Sequence, residues 1–217
     1  NTCDNPVLSN GRVVSADRLT ITITEQDFNI IKNVYTWSHL RVGNMIRYNR
    51  GYLPRDFVRS VLELYKSKTE LKGLQGEDEN GVPYPVTYLA RKEMLNACYG
   101  MTVTDIVRDD IIYADDWTEE EPNLPDAIEK YNTSKNRFLF YPWGVWTTAC
   151  ARTAVWSAIF NLKDDYIYCD TDSVKFKNPE KHLDFFTKYN KIITEQLIET
   201  CRHFGFPEEY VHPKNNK

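Results

Sequence analysis

Apolar and polar positions alternate early in the chain, where Leu19, Ile21 and Ile23 are separated by threonines. A period of two with a β-branched bias predicts a strand. Thr24-x-x-Asp27 follows at once and has the form of a capping box, which predicts a helix carrying Phe28, Ile31 and Val34. Residues 39–49 mix apolar and basic side chains and predict a second strand, closed off by Gly51 and Pro54. Phe57, Val61, Tyr65 and Lys68 then recur at helical spacing and predict a helix from about 55 to 72. Gly73 to Pro85, with its Glu-Asp-Glu-Asn-Gly core, predicts a solvated loop. From Val86 the pattern is helical again as far as Gly100, a residue suited to the position just past a helix end. Two helices joined by a short acidic connection predict a helical hairpin.

Residues 102–137 follow no single period and are expected to be an insertion. They hold the apolar run Ile111-Ile112-Tyr113, the acidic Thr118-Glu-Glu-Glu121, two prolines and a short helical pattern ending near Asn132. Trp143 to Leu162 is so uniformly apolar that it predicts a buried helix with no wet face. Tyr166 to Phe176 predicts two short strands around a turn, and Glu180 to Phe204 an amphipathic helix. No internal repeat is visible.

Composition narrows the class. With 217 residues, 41% apolar and 13% aromatic, the chain can bury a core as one domain or two small lobes. A net charge of −4 does not advertise a nucleic-acid binder, so any basic footprint has to be local. Five cysteines, odd in number and in no C-x-x-C pair, argue against a disulfide framework and against structural zinc. No apolar run approaches the roughly 20 residues of a membrane helix, and Asn1 opens no signal-peptide pattern. The expectation is a soluble protein of the cytoplasm with no membrane partner. A start without Met and a stop at Pro213-Lys-Asn-Asn-Lys217 are read as the ends of a piece of a longer polypeptide.

The chemistry concentrates in two strings. In Tyr166-Ile-Tyr-Cys-Asp-Thr-Asp-Ser173 an apolar strand runs into Asp170 and Asp172 at a turn. Paired hard oxygen donors on a turn suit Mg²⁺, although Asp and Thr are also ordinary turn residues. Nucleotidyl transfer uses two such ions about 3.5–4 Å apart. In the second string, spacings of four and seven put Lys92, Asn96 and Tyr99 on one helix face. A cation, an amide and a ring make a surface of nucleotide size, and an ordinary solvated helix face has the same appearance.

Tyr168-Cys-Asp-Thr-Asp-Ser173 resembles the Tyr-x-Asp-Thr-Asp-Ser motif of family B DNA polymerases, and Lys92-x3-Asn96-Ala-x-Tyr99-Gly100 resembles their fingers motif, with Ala97 where the family usually has Ser. Lys68 matches a fingers lysine that meets phosphates. Thr148-Ala-Cys-Ala-Arg152 is similar to a Thr-x-x-Ala-Arg segment of the protein-primed, bacteriophage-type subfamily. The resemblance covers roughly residues 15 to 190. It implies an α+β fold with an antiparallel palm sheet backed by helices, a helical fingers hairpin and β-containing insertions. The parts it implies are the end of a first terminal-protein-type insertion (1–52), fingers (53–101), a second insertion (102–137) and palm (138–217).

The activity implied is DNA-templated addition of dNTPs to a primer 3′-hydroxyl, with two Mg²⁺ ions for which Mn²⁺ can substitute. In that scheme Asp172 and Asp170 are catalytic metal ligands. Lys92, Asn96, Tyr99 and Lys68 bind the nucleotide, with Tyr99 crowding a 2′-hydroxyl, and Thr148, Arg152 and Tyr168 face DNA. An Arg inside an apolar helix needs an anion, and a DNA phosphate, Asp170 or a structural carboxylate would serve. The implied partners are primer-template DNA, a terminal protein, and upstream and downstream parts of the same polypeptide. The family's second insertion wraps DNA, but Glu119-Glu120-Glu121 would repel phosphate. The family's upstream Asp-x-x-Ser-Leu-Tyr-Pro segment, its exonuclease carboxylates and its Lys-x-Tyr thumb motif are not found, so the chain by itself is expected to be inactive. A non-catalytic module binding nucleic acid or terminal protein is the alternative. A reverse transcriptase or RNA polymerase fits the paired motifs less well.

Overall fold

A computed structural model describes residues 1–135, 137–138 and 140–213. Asn136 of the expected insertion, and Leu139 and 214–217 of the expected palm, lie outside the described residues. The described fold is mixed α+β, with helices and small antiparallel sheets, as expected. The chain divides into two compact units. One is formed by Asn1–Gly43 with Val145–Asn178, the other by Asn44–Gly144 with Pro179–Lys217.

In the first unit, β1 (Thr2–Asp4) pairs antiparallel with β4 (Arg18–Thr20), and β2 (Val7–Ser9) with β3 (Arg12–Ser15). The β2–β3 turn is Asn10-Gly11, with φ of 49° and 72°. Positive φ at both central positions is what a tight hairpin of right-twisted strands demands, and Asn-Gly supplies it at low cost. Ile21 and Ile23, expected in the strand, lie beyond the ladder, which ends at Thr20.

The helix expected after Thr24 is α1 (Glu25–Val34), and its capping box is complete. The Asp27 amide donates to Thr24 Oγ1 at 3.2 Å and the Thr24 amide to Asp27 Oδ2 at 3.3 Å. The expected strand over 39–49 is not formed: these residues are irregular and exposed, with Asn44 left-handed at φ of 51°, and no strand among the described residues pairs with them. Alternating side chains alone cannot make a strand, because the backbone N–H and C=O groups need a neighbouring ladder.

In the second unit, α2 (Arg55–Leu71) and α3 (Tyr84–Gly100) pack on each other as the expected helical hairpin. Their connection is organised by Asp78, whose Oδ1 accepts the Asn80 and Val82 amides, each at 2.9 Å. The glycine just past a helix end is Gly73, with φ of 84°, and not Gly100, which remains helical and is followed by Met101 in right-handed conformation. The chain after Gly100 turns without needing a left-handed residue.

The expected insertion contains an antiparallel hairpin of β5 (Asp110–Tyr113) and β6 (Trp117–Glu120), followed by α4 (Leu124–Thr133). The long α5 (Tyr141–Leu162) has Gly144, Ala149, Ala158 and Leu162 buried, but Thr147, Cys150, Arg152 and Phe160 exposed. It is therefore not the wholly buried helix its composition suggests. Alanine-rich turns expose little apolar area to water, so a wet side is tolerated.

The last hairpin, β7 (Tyr166–Asp170) with β8 (Ser173–Phe176), appears as expected, and so does α6 (Pro179–Phe204). At the end of α6, Gly205 is left-handed with φ of 68°, and the Phe206 amide reaches back to the Cys201 carbonyl at 2.8 Å. That reversal carries Phe206 into a core with Leu62, Cys201 and Val211. All described sheets have two strands.

Gly144 opens α5 against the turn that follows α3. A Cβ placed there would overlap the Val103 side chain and lie 2.7 Å from Thr102 Oγ1. Thr102 is buried and donates its hydroxyl to the Tyr99 carbonyl at 2.7 Å, so it cannot step aside without breaking that bond. Gly144→Ala is expected to destabilise the protein by about 1–3 kcal/mol, and Val103→Ala in the same chain to restore part of the loss. Urea unfolding of the single and double variants measures both, and full stability of Gly144→Ala alone would contradict the crowding.

Candidate functional site

The Tyr168–Ser173 string folds into the β7–β8 hairpin. The register pairs Tyr168 with Lys175, Cys169 with Val174 and Asp170 with Ser173, and an irregularity at Ile167 lets Tyr166 pair with Phe176. Cross-strand partners share a face. One face is thus Tyr166, Cys169, Val174 and Phe176, all half-buried, and the other is Tyr168, Asp170, Ser173 and Lys175, all exposed. The bulge sets this division, because without the extra residue Tyr166 and Cys169 would point to opposite sides.

Thr171 and Asp172 form the two-residue turn, and both hairpin aspartates are exposed. Thr171 has φ of 49°, a left-handed conformation that its branched Cβ disfavours by about 1–2 kcal/mol. Its hydroxyl donates to Asp170 Oδ1 at 3.0 Å, and Ser173 Oγ donates to the Asp170 carbonyl at 3.1 Å. Asp170 is therefore steadied by its neighbours at the strand end, while Asp172 stands in the turn itself. The pair is chemically suited to a hard cation. Among the described residues no group of three or more His, Cys, Asp or Glu side chains is arranged to hold a metal ion.

The other string lies on α3, where Lys92, Asn96 and Tyr99 are exposed along one face, as expected. Lys68, on α2, is half-buried, with its Nζ 5.7 Å from the centre of the Tyr65 ring. A separate groove of about 620 Å³ in the same unit is lined by Lys66, Ser67, Glu70, Tyr84, Thr87 and Arg91 among others, and by none of the four expected nucleotide-binding residues. Sequence spacing did not reveal that groove, since it needs residues from both helices at once.

Of the residues expected to face DNA, Tyr168 is exposed, and Arg152 takes the structural carboxylate among its expected partners. Thr148 Oγ1 donates to the Val145 carbonyl of its own helix at 2.9 Å. Arg152 does not pair with Asp170. Its Nε and Nη2 meet Asp27 Oδ1 and Oδ2 at 2.7 and 3.0 Å, a bidentate bond between α5 and the cap of α1. The Asp27 side chain is 13% exposed and that of Arg152 49%. Two parallel charge-assisted bonds onto a carboxylate already held by Thr24 Oγ1 at 2.8 Å outcompete a partner on a strand end. The signals for this pair were both in the sequence: an arginine in an apolar helix, and an aspartate in a capping box. The 125 residues between them concealed it.

Burial pushes the Asp27 carboxyl up, but the hydrogen bonds from Arg152 and Thr24 and the Arg152 charge outweigh it, and the group sits below the ordinary carboxylate range.

A scan against protein-family models finds no match, and searches among curated proteins and among solved structures find no significant match. No helix among the described residues is long and apolar enough to cross a membrane.

Because the folded-state pKa of Asp27 is lowered, its contribution to stability is complete above the ordinary carboxylate range near pH 4 and fades as pH falls through the lower folded value. Asp27→Asn should cost about 1–2 kcal/mol at pH 7, kept moderate by solvent around the half-exposed Arg152, and distinctly less at pH 2. Urea unfolding at both pH values tests this, and an equal cost at the two would mean the ionised pair contributes nothing.

Proposed function

We propose that this chain supplies the fingers segment and part of the metal-binding palm of a family B DNA polymerase of the protein-primed kind, acting on primer-template DNA and dNTPs. The observation that carries the reading is the folding of Tyr168–Ser173 as an antiparallel hairpin with both carboxylates at its exposed end.

Mg²⁺ binds through one or two carboxylates and fills its remaining positions with water and phosphate oxygens, so Asp172 and Asp170 fit part of such a site. In this reading a further carboxylate comes from another part of the longer polypeptide. When bound, the ions would lower the pKa of the primer hydroxyl and neutralise the leaving pyrophosphate. Asp172, in the turn, is the principal ligand. Asp170 is held by Thr171 and serves as the second.

Lys92 offers its ammonium to the triphosphate, while Asn96 and Tyr99 on the same helix face meet sugar and base. Lys68 joins them only by leaving the Tyr65 ring. Tyr168 shares the exposed face of Asp170 and is suited to primer or template. Arg152 we assign to holding α5 on α1, because its Nε and Nη2 are both engaged by Asp27. A terminal protein partner follows from the same resemblance. Binding without chemistry is the second reading, in which the exposed hairpin end and the exposed α3 face hold a ligand and no metal site is completed.

In the longer polypeptide that carries this chain, Asp172→Asn is expected to abolish single-turnover nucleotide incorporation while leaving primer-template binding intact, because the amide keeps the shape and loses the charge. Asp170→Asn should cost less and be partly rescued by Mn²⁺. In this chain alone, Mn²⁺ should broaden the amide resonances of Thr171 to Ser173, and Asp172→Asn should remove the broadening. Near-normal incorporation by Asp172→Asn would make the hairpin purely structural, and broadening without incorporation in the longer polypeptide would favour the second reading.

Lys92→Ala in the same polypeptide is expected to raise the apparent KM for dNTP and to lose on the order of 2–4 kcal/mol in kcat/KM if the contact tightens as charge develops. An unchanged dNTP dependence would remove Lys92 from the site.

A further inference from the structure

The acid of this chain is concentrated in one place. Residues 105–121 hold eight carboxylates against one arginine, a net of −7 in a chain whose total is −4, so the other 200 residues together are at +3. The same stretch forms the β5–β6 hairpin, whose register sets Ile111 opposite Glu119 and Tyr113 opposite Trp117. These four therefore share one face. It is unusually bare: Ile111 is 68% exposed, Tyr113 62% and Trp117 68%. The two rings sit 5.0 Å apart, tilted by 52°, and form a preset aromatic platform. Every residue of β6 is exposed, and among the described residues the two strands have only each other as ladder partners. A two-stranded ribbon with large side chains in water is marginal until something covers it.

The charge says what kind of partner that is. Nucleic acid is repelled, since each phosphate would meet a carboxylate-rich rim. A cationic peptide is attracted, and arginine suits this face better than lysine. Its planar guanidinium stacks on Trp and Tyr rings and binds carboxylates with two hydrogen bonds. We infer that the β5–β6 hairpin is a docking surface for an arginine-bearing segment of a basic partner protein. The segment lies along the Ile111–Tyr113–Trp117 face, with its guanidinium groups on the Trp117 ring and on Glu119 and Glu121. The inference stands on exposure, register and charge, and does not depend on the polymerase reading.

The test uses the whole chain, with octa-arginine, octa-lysine and a 20-nucleotide oligothymidine as probes, read by calorimetry and by amide chemical-shift mapping. Octa-arginine should bind more tightly than octa-lysine and shift the Ile111–Glu121 resonances. Trp117→Ala should weaken it about tenfold or more, and so should Glu119→Gln with Glu121→Gln, which leaves the ring pair in place. Spectra showing both variants folded keep the comparison sound. The proposal is overturned if octa-arginine binding ignores the hairpin variants, if the two peptides bind equally with Trp117 dispensable, or if oligothymidine maps to the hairpin. It is also overturned if the chain alone self-associates in sedimentation velocity through this face, which would make the occupant a second copy.

Discussion

A two-stranded antiparallel pair has one ladder and two open edges, and every strand described in this protein belongs to such a pair. Sheet hydrogen bonding therefore cannot fix the fold by itself. A ribbon gains further stability where side chains cover one of its faces, and the ribbons differ in whether they have that cover. The β7–β8 hairpin has a half-buried face of Tyr166, Cys169, Val174 and Phe176, and the bulge at Ile167 keeps that face continuous. Its opposite face is thereby free to present Tyr168 and Asp170. The β5–β6 hairpin lacks such cover and exposes its aromatic pair. One constraint thus separates a ribbon that offers polar chemistry from one that offers an adhesive surface.

Helix ends meet the same problem of unpaired backbone with local chemistry. At α1, Thr24 and Asp27 satisfy each other's amides, and Arg152 then joins the same carboxylate. A single side chain caps one helix and ties down another, which makes Asp27 a position where a local and a long-range interaction coincide. In the second unit the reversal at Gly205 does comparable work. It ends α6 and delivers Phe206 to the core beside Leu62, which is 6% exposed, and Cys201, which is fully buried. Burial pushes the Cys201 thiol up, so it behaves as a small apolar side chain rather than as a nucleophile.

Much of this was legible in the sequence, and the exceptions have physical causes. The long helices, the Tyr166–Phe176 hairpin and the Thr24 capping box carry their signals within one or two turns of chain, where spacing is informative. So do the positions of Asp170, Asp172, Lys92, Asn96 and Tyr99. The Asn10-Gly11 turn carries an equally local signal, but the strands it joins are three and four residues long and almost wholly exposed, too short to show a hydrophobic period. Residues 39–49 show the reverse case: their pattern is genuine, but a strand requires a partner that no periodicity supplies. Gly73 and Gly100 both follow helical runs, and only backbone geometry tells which is left-handed. The left-handed Thr171 was hidden for a similar reason, since a threonine gives no hint that its neighbours will force positive φ. Arg152 announced its need for an anion and could not announce which one.

Charge distribution changes how the whole sequence should be read. A net −4 taken over 217 residues suggests a mildly acidic protein with little affinity for polyanions, but that figure averages two different surfaces. From Phe28 to Arg55 there are five lysines and arginines and no carboxylate, whereas 105–121 carries −7. In physiological salt a charge is felt over only about 8 Å, so what a partner meets is set by the charges in its own vicinity and not by the sum over the chain. A phosphate near Arg47 and Arg50 therefore meets a basic surface, and a cationic peptide near Glu119 an acidic one. Net charge can exclude neither partner, and the order of charges along the chain is the more informative quantity.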